Sequence, residues 1–474
     1  MPVVSTSERV IPRPSERAAA NRITVGRRSA SPLTIEPTNG PRLDQDETTW
    51  RVVGMVALVA AALLFGVLGL LERADTVSGL LLVPGIAVVA GAALRRWVEP
   101  SAGRGAVAIL LAGLGLRMLA AVPRLLGGVD AVDYQREGER IARSLRAFEF
   151  SVEAGRAVPG TGAVRWLSGF INLFTGSTYV ATYLVFAVLA FVGQVLFVMA
   201  VRSSLSTRQF RLLLVAMMAW PALTFWPSSI GKESVVLFGL GLTMQGANRV
   251  YRRHASGALH LLAGLFAVGM VRPHVALIIL SALVVGLLAR HERGRSRILA
   301  HLAVVAVVAI GATWLSSASA DLFGLEGIDG IEDIGVALDF TQNRTSQDLS
   351  QFSVVRVNSP ADYPVAAVTV LVRPFPWEAT NVMAFLSALE GAVLAGLLVA
   401  AIPGLLTERR RLLSNGVLLH AVAFTSVFIF LFSAIGNFGI LSRQRAQVLP
   451  FVLVLVALGI GAQRRGLSNG EEAA

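Results

Sequence analysis

The sequence predicts an all-α fold, a polytopic transmembrane helical bundle of about twelve helices, and three observations support this prediction. Hydrophobic residues make up 54% of the 474 residues and charged residues only 15%, a composition that excludes an ordinary soluble domain. The apolar residues occur in runs of roughly 20, the length that a helix needs to cross a bilayer. Lysine and arginine concentrate in alternate short connections, as expected for loops retained in the cytoplasm.

The apolar runs define twelve predicted spans. They lie near residues 52–71, 77–94, 105–122, 179–201, 211–227, 234–250, 257–271, 275–289, 298–315, 381–405, 416–435 and 447–463. An even number of spans returns the chain to its starting side, and the basic connections share one face if the N-terminus is inside. We therefore expect a multi-pass protein of the bacterial cytoplasmic (inner) membrane with both termini in the cytoplasm.

This topology divides the chain into a membrane domain and two tails. Residues 51–465 form the predicted transmembrane helical domain, and residues 466–474 a cytoplasmic tail. Residues 1–50 contain proline, serine and arginine without an apolar run, which predicts a disordered cytoplasmic tail.

Two long connections, 123–178 and 316–380, are predicted as extracytoplasmic loops. Loops of this length are usually functional. In the first, residues 166–174 form an amphipathic segment expected in the membrane interface. The second ends in an apolar segment, 364–376, that is too short to cross and is expected to be re-entrant or interfacial. Between the two loops, the apolar stretch 258–289 has basic flanks on both sides, which predicts a hairpin that turns at Pro273.

The net charge of +12 does not indicate a nucleic-acid-binding protein. The arginines and lysines lie between apolar runs, whereas a nucleic-acid interface carries them on polar segments together with aromatic residues. Cysteine is absent, which excludes disulfides, a thiol nucleophile and thiolate metal sites.

An acidic motif follows the third predicted span. Asp130, Asp133 and Tyr134 come after two glycines, and a helix starting here would place both carboxylates on one face. One interpretation is a general base that deprotonates an acceptor hydroxyl, either alone or with a divalent cation (Mg²⁺ or Mn²⁺) held by oxygen ligands. In that site Tyr134 would bind substrate. The alternative is that the acids cap the helix and stabilise its dipole.

A short turn before the sixth predicted span contains Lys232 and Glu233. A lysine beside a glutamate can bind a phosphate and orient a catalytic group. The alternative is an interfacial turn, in which Trp226 belongs to the aromatic belt and the lysine ammonium reaches the membrane surface.

Four arginines are predicted on the extracytoplasmic face, where the positive-inside rule makes arginine least expected. Together with their polar neighbours they are Arg272, His274, Arg373, Glu378, Arg443 and Arg445. Guanidinium groups bind phosphate oxygens bidentately, so convergence would form a site for a diphosphate or a sugar phosphate. Each arginine alone could instead contact a lipid headgroup. His274 could transfer a proton or be structural.

These features resemble the GT-C superfamily, membrane glycosyltransferases that use polyprenyl-phosphate-linked sugars outside the cytoplasm. The Asp-x-x-Asp-Tyr motif in an early outer loop carries this resemblance, together with Trp-Pro-Ser-Ser-x-x-Lys-Glu at residues 226–233, which resembles a segment of bacterial polysaccharide repeat-unit polymerases. The pair Arg443 and Arg445 before Leu449 is similar to the arginine-containing start of a late helix in the same groups. In many GT-C enzymes the acidic motif follows the first span, whereas here it follows the third.

The resemblance implies a glycosyltransferase of cell-surface polysaccharide or glycolipid assembly, with repeat-unit polymerases included. Its partners would be a polyprenyl-phosphate- or diphosphate-linked sugar, a growing glycan acceptor and membrane lipids. Asp130 or Asp133 would be the base, and a second set of residues would hold the donor phosphate: Lys232, Arg373, Arg443 and Arg445. Two alternatives remain, a transporter or lipid-linked sugar flippase with charges along its path and a non-catalytic scaffold.

Overall fold

A computed structural model describes residues 42–43, 47–70, 76–176, 178–288, 339, 341–342, 352, 357 and 359–471. The described residues form helices and turns and contain no strand, which confirms the all-α prediction. The predicted span 298–315, most of the predicted N-terminal tail and residues 472–474 lie outside these residues.

The α-helices follow one another in the order and with the bounds α1 Glu47–Leu70, α2 Thr76–Trp97, α3 Glu99–Ala102, α4 Arg104–Gly127, α5 Val129–Arg146, α6 Thr161–Thr175, α7 Tyr179–Val201, α8 Thr207–Ala219, α9 Pro221–Phe225, α10 Lys232–Tyr251, α11 Gly257–Gly269, α12 Pro273–Leu288, α13 Tyr363–Val372, α14 Val382–Thr407, α15 Arg409–Ser414, α16 Gly416–Phe432, α17 Phe438–Arg445 and α18 Leu449–Glu471. Helix α1 thus begins inside the predicted N-terminal tail, and α18 continues into the predicted C-terminal one.

Five of the described helices are long and apolar enough to cross a membrane, namely α1, α2, α4, α7 and α14. A sixth span results if α17 and α18, which meet at a bend of 62°, are counted together. Four shorter apolar helices lie at Gly257–Gly269, Pro273–Leu288, Pro360–Val372 and Gly416–Phe432. The chain is therefore consistent with a multi-pass membrane protein, and the prediction of twelve spans stays a prediction.

Prolines explain where the helices depart from the predicted spans. The predicted span 211–227 is divided between α8 and α9, because Trp220 precedes Pro221 and adopts an extended conformation. A residue before proline is disfavoured in the helical region. Pro273 instead begins α12, a position where its missing N–H costs nothing. The predicted break between α11 and α12 is present, but the turn lies at residues 270–272, and the predicted turn residues Pro273 and His274 belong to α12.

Helix α4 lies at the centre of the N-terminal half, where it packs against α1, α2, α7, α8 and α9. Helix α10 packs between α7 and α11, and most of its side chains are buried. The α7 and α10 backbones meet closely at Gly193 and Gly241, where a Cβ on Gly241 would overlap the carbonyl oxygen of Gly193. These contacts fix the beginning of α10, which carries Lys232 and Glu233.

Replacing Gly241 with alanine is expected to lower the free energy of unfolding by about 1–3 kcal/mol, because the added methyl group forces two helix backbones apart. The matched control is Gly396→Ala, since a Cβ on Gly396 meets nothing within 4 Å. Thermal unfolding in detergent measures both. Equal melting temperatures for the two variants would show that the α7–α10 contact is not tightly packed.

Candidate functional site

Six charged side chains converge where the ends of several helices meet. They come from the C-terminal end of α4, the first turns of α5 and α10, the turn before α12, and α17. We call this group the charged cluster: Arg124, Asp130, Lys232, Glu233, Arg272 and Arg443. Five of the six were predicted site residues, and the structure brings those five together from four separate segments.

Glu233 is the centre of the charged cluster. Its side chain is only 2% exposed and its Oε1 accepts hydrogen bonds from Arg272 Nη2 at 2.6 Å and from Arg443 Nε at 2.7 Å. Arg443 Nη2 donates to the second carboxylate oxygen at 3.2 Å. The position in the first turn of α10 also favours a carboxylate, because the N-terminal end of a helix carries partial positive charge. Glu233 therefore organises two arginines.

Arg443 extends from Glu233 to Asp130. Its Nη1 lies 2.9 Å from Asp130 Oδ2, and the Asp130 side chain is 58% exposed. Asp130 belongs to the first turn of α5, whose N-cap is Gly128 and has no side-chain capping bond. Neither acid is thus the N-cap, although Asp130 lies in the first turn, where a carboxylate favours the helix dipole. Asp130 is instead an accessible carboxylate at the edge of a cationic group.

Two further cations increase the positive charge of the cluster. Arg124 donates to Ser229 Oγ at 3.0 Å, and its guanidinium lies 5.2 Å from the centre of the Trp226 ring. Lys232 lies within electrostatic range of Asp130, Glu233, Arg272 and Arg443. Four cations and two carboxylates leave two excess positive charges, which attract an anion to this end of the helical bundle.

Tyr134 and His274 border the charged cluster. Tyr134 is 5% exposed, and burial together with the nearby Asp130 and Glu233 carboxylates raises the pKa of its phenol. The phenol therefore stays neutral and available as a hydrogen-bond donor. His274 lies in the first turn of α12, within electrostatic range of Arg272 and Lys232.

Asp133 lies outside the charged cluster, although it is only three residues from Asp130. Its Oδ2 accepts a hydrogen bond from Arg165 Nη2 at 2.7 Å, and Arg165 Nη1 donates to the carbonyl of Ala154 at 2.7 Å. Asp133 thus helps to hold α6 and the preceding connection against α5. The two aspartates occupy one helix but have different partners.

Arg373 and Glu378 form a second charged group. Arg373 Nε lies 3.0 Å from Glu378 Oε1 and 3.1 Å from Oε2, and its guanidinium lies over the rings of Phe352 and Phe438 at 4.4 and 5.2 Å. Burial acts to raise the pKa of Glu378, but the hydrogen bonds from Arg373 and from the backbone N–H of Phe375, together with the charge of Arg373, outweigh it, so the pKa lies below its ordinary value. The predicted phosphate ligand Arg373 is therefore already paired.

Arg445 contacts backbone carbonyls and has a structural role. It is fully buried and donates from Nε to the carbonyl of Val370 at 3.2 Å and from Nη2 to the carbonyl of Arg373. It therefore ties α17 to the C-terminal end of α13. Arg443 and Arg445 lie on one short helix, and only the first of them reaches the charged cluster.

A cavity of about 170 Å³ lies near both charged groups, although none of their charged side chains lines it. Trp226, whose ring lies beside Arg124, contributes to its wall, as do Ser442, which precedes Arg443, and Pro374, which follows Arg373. The remaining lining residues are Thr380, Asn381, Met383, Ala384, Ser387, Phe438 and Gly439. Aromatic faces and small polar side chains therefore lie next to the cationic cluster.

The predicted divalent cation stays a prediction. Among the described residues, no three histidine or acidic side chains are close enough to hold a metal ion. The carboxylates of Asp130 and Glu233 face arginines, which would repel a cation. The reaction proposed for this cluster uses its own side chains.

Arg124 is the member of the cluster that the sequence analysis missed. The sequence feature that could have indicated it is Arg117, a charged residue within the same apolar run. Arg117 is buried within α4 and donates to Gln194 Oε1 at 2.5 Å and to the carbonyl of Leu223 at 2.7 Å. A spacing of seven residues places Arg124 on the same face of α4, two turns further on. Both arginines reach the segment that links α8 to α10.

Replacing Glu378 with glutamine is expected to lower stability by about 1–3 kcal/mol, because Arg373 would keep its charge and lose its carboxylate. Since the pKa of Glu378 is depressed in the folded state, its stabilising contribution is present above the unfolded pKa and lost as the pH falls through the folded pKa. Thermal unfolding from neutral to acidic pH measures both effects. The control is Glu99→Gln, which removes the exposed pair with Arg104. Equal melting temperatures of the Glu378→Gln and Glu99→Gln variants across this pH range would contradict a stabilising pair between Glu378 and Arg373.

Comparison of the chain with protein-family models, with curated proteins and with solved structures gives no significant match. The site is therefore interpreted from its own geometry.

Proposed function

We propose that the chain is a membrane glycosyltransferase that uses a polyprenyl-phosphate-linked sugar on the extracytoplasmic side, in cell-surface polysaccharide or glycolipid assembly. The observation that carries the proposal is the charged cluster, in which four cations surround two carboxylates. The excess positive charge suits a phosphate, and an accessible acid lies in contact with Arg443. The resemblance to GT-C enzymes agrees with this assignment.

The proposed reaction is a single displacement at the anomeric carbon. The acceptor hydroxyl oxygen forms the new bond to that carbon, and the bond to the donor phosphate oxygen breaks. The leaving phosphate keeps the electron pair, and Lys232, Arg124 and Arg443 stabilise its growing negative charge. Asp130 takes the acceptor proton as general base. Glu233 acts as a positioning residue, because it holds Arg272 and Arg443 in place.

The lining of the nearby cavity suits a substrate that has both apolar and polar surface. Trp226 and Phe438 offer aromatic faces, and Asn381 and Ser387 offer hydrogen-bonding groups. Binding pockets commonly combine apolar walls with a few polar groups that fix orientation. In the proposal, the sugar ring occupies this cavity and the phosphate contacts the charged cluster.

The competing function is transport of a lipid-linked sugar, and the buried Arg117 is the observation that raises it, because charges inside membrane helices mark translocation paths. Arg117 is, however, hydrogen-bonded to Gln194 and to the carbonyl of Leu223. These contacts favour a role in holding α4 against α7 and α9.

Reconstitution in sealed vesicles distinguishes the two functions. Purified protein is incubated with a panel of polyprenyl-phosphate-linked hexoses and a glycan acceptor extract, and free polyprenyl phosphate and glycosylated acceptor are measured. A transferase releases the lipid phosphate and labels the acceptor. Movement of intact donor across the vesicle membrane without release of lipid phosphate would contradict the proposal and support the flippase.

A further inference from the structure

Helix α6 buries the polar side chains of Arg165, Ser168 and Asn172, whereas its exposed side chains are apolar. Between residues 163 and 174, every side chain that is not buried is apolar. Ala163, Leu167 and Ile171 are partly buried against the hydrophobic core. The remaining four residues, which we call the α6 stripe, are Trp166, Phe170, Leu173 and Phe174. Phe170 is 57% exposed and Phe174 78% exposed. A helix at a water-facing surface has the opposite pattern, with its polar face outward.

The buried face of α6 explains this inversion. Arg165 is paired with Asp133 on α5, and Asn172 Oδ1 accepts hydrogen bonds from Thr182 Oγ1 at 2.6 Å and from Gln135 Nε2 at 3.4 Å. These polar contacts connect α6 to α5 and to the start of α7. These contacts keep the polar residues of α6 in the protein interior, so the helix cannot turn about its axis to expose them.

Chain connectivity places the α5–α6 pair along one membrane face. Helix α5 begins two residues after the candidate span α4 ends, and α6 ends four residues before the candidate span α7 begins. The two helices run side by side in the same direction, since Tyr134 is hydrogen-bonded to Thr161, and Arg146 donates to the Asn172 carbonyl at 2.5 Å. One end of the pair is thus tied to α4 and the other to α7.

Two more phenylalanines lie at the α7 end of the pair. Phe148 and Phe150 directly follow α5 and are 81% and 71% exposed. Their rings lie 6.5 Å apart, and Arg146 next to them reaches the C-terminal part of α6. Phenylalanine is among the apolar residues that an interfacial segment buries at the boundary between headgroups and acyl chains.

We propose that the α5–α6 pair is an interfacial anchor, in which the α6 stripe and the two phenylalanines after α5 insert into the lipid leaflet at this membrane face. The occupant of this surface is lipid, because both ends of the pair are joined to candidate spans. The anchor holds the first turn of α5, and with it Asp130, at a fixed depth. The proposal is independent of the reaction at the charged cluster.

Site-directed fluorescence quenching tests the anchor, and the absence of cysteine from the chain makes single labels simple. The full chain carrying Phe174→Cys or Phe170→Cys is labelled with bimane and reconstituted in vesicles of phosphatidylcholine with a doxyl group near the headgroup. The control is Arg156→Cys, an exposed position on the connection between α5 and α6. Val393→Cys in the span α14 serves as the lipid-embedded reference.

Quenching at residues 170 and 174 is expected to exceed that at residue 156 by at least about twofold, because an interfacial helix buries its apolar face among the headgroups and upper acyl chains. Quenching no greater than at the control would overturn the proposal. Strong emission without lipid quenching at residues 170 and 174 would also overturn it, because another part of a protein would then cover the stripe. Either label alone gives the answer if the other variant fails to fold.

Discussion

Replacing Glu233 with glutamine is expected to abolish transfer activity and to lower the free energy of unfolding by about 3–5 kcal/mol. Glu233 is buried, and both Arg272 and Arg443 donate to its carboxylate. Glutamine has nearly the same shape but no charge, so two arginines would remain close together without their shared counter-ion. The measurements are thermal unfolding in detergent and product formation in reconstituted vesicles.

Two comparisons isolate the effect of the buried charge. Glu408→Gln removes a carboxylate from a partly exposed pair with Arg411 at 3.3 Å and is expected to change stability by less than about 1 kcal/mol. Combining Glu233→Gln with Arg272→Met should recover part of the lost stability, since a buried cation is replaced by an apolar side chain. A Glu233→Gln variant as stable as Glu408→Gln would contradict the central position of Glu233.

Replacing Asp130 with asparagine is expected to reduce transfer by about 10²–10⁴-fold, the usual contribution of a general base. Stability should change little, because the Asp130 side chain is 58% exposed and its contact with Arg443 lies at the surface. Product formation at saturating donor and acceptor measures the effect. The expected loss lies in kcat, since the variant still offers Arg443, Lys232 and Arg124 to the donor phosphate.

Asp133→Asn is the matched control for Asp130→Asn, because it makes the same chemical change three residues away on the same helix. Its carboxylate pairs with Arg165 and faces α6, so its removal should affect stability more than kcat. A large loss of kcat for Asp133→Asn together with normal activity for Asp130→Asn would exchange the roles of the two residues. Unchanged product from both variants would exclude each of them as the base.

The all-α fold class and the breaks between helices could be predicted from the sequence because they depend on local signals. Apolar runs and prolines are visible in the chain, and the break before Pro273 followed from them. The break at Pro221 was missed, although the residue before a proline is restricted in the same way at any position. The number of spans was harder to predict, since several described apolar helices are shorter than the length needed to cross a membrane.

The partners of the site residues could not be predicted, because they depend on long-range packing. Asp130 and Arg443 are 313 positions apart in the chain, and only the packed bundle shows that they touch. Sequence spacing suggested that Asp130 and Asp133 act together, whereas α6 supplies a separate partner for Asp133. Arg373 and Arg445 were grouped with Arg443 by residue type, yet their contacts are with Glu378 and with backbone carbonyls.

The central claim is that the charged cluster opens on the extracytoplasmic side, where a lipid-linked phosphosugar is presented. Accessibility of single cysteines to a membrane-impermeant thiol reagent in spheroplasts tests this most directly. The positions are Arg136→Cys, exposed on the helix that carries Asp130, and Arg410→Cys, exposed on α15. We predict labelling of residue 136 in intact spheroplasts and of residue 410 only after permeabilisation. Labelling of residue 136 only after permeabilisation would place the cluster in the cytoplasm and contradict the proposed function.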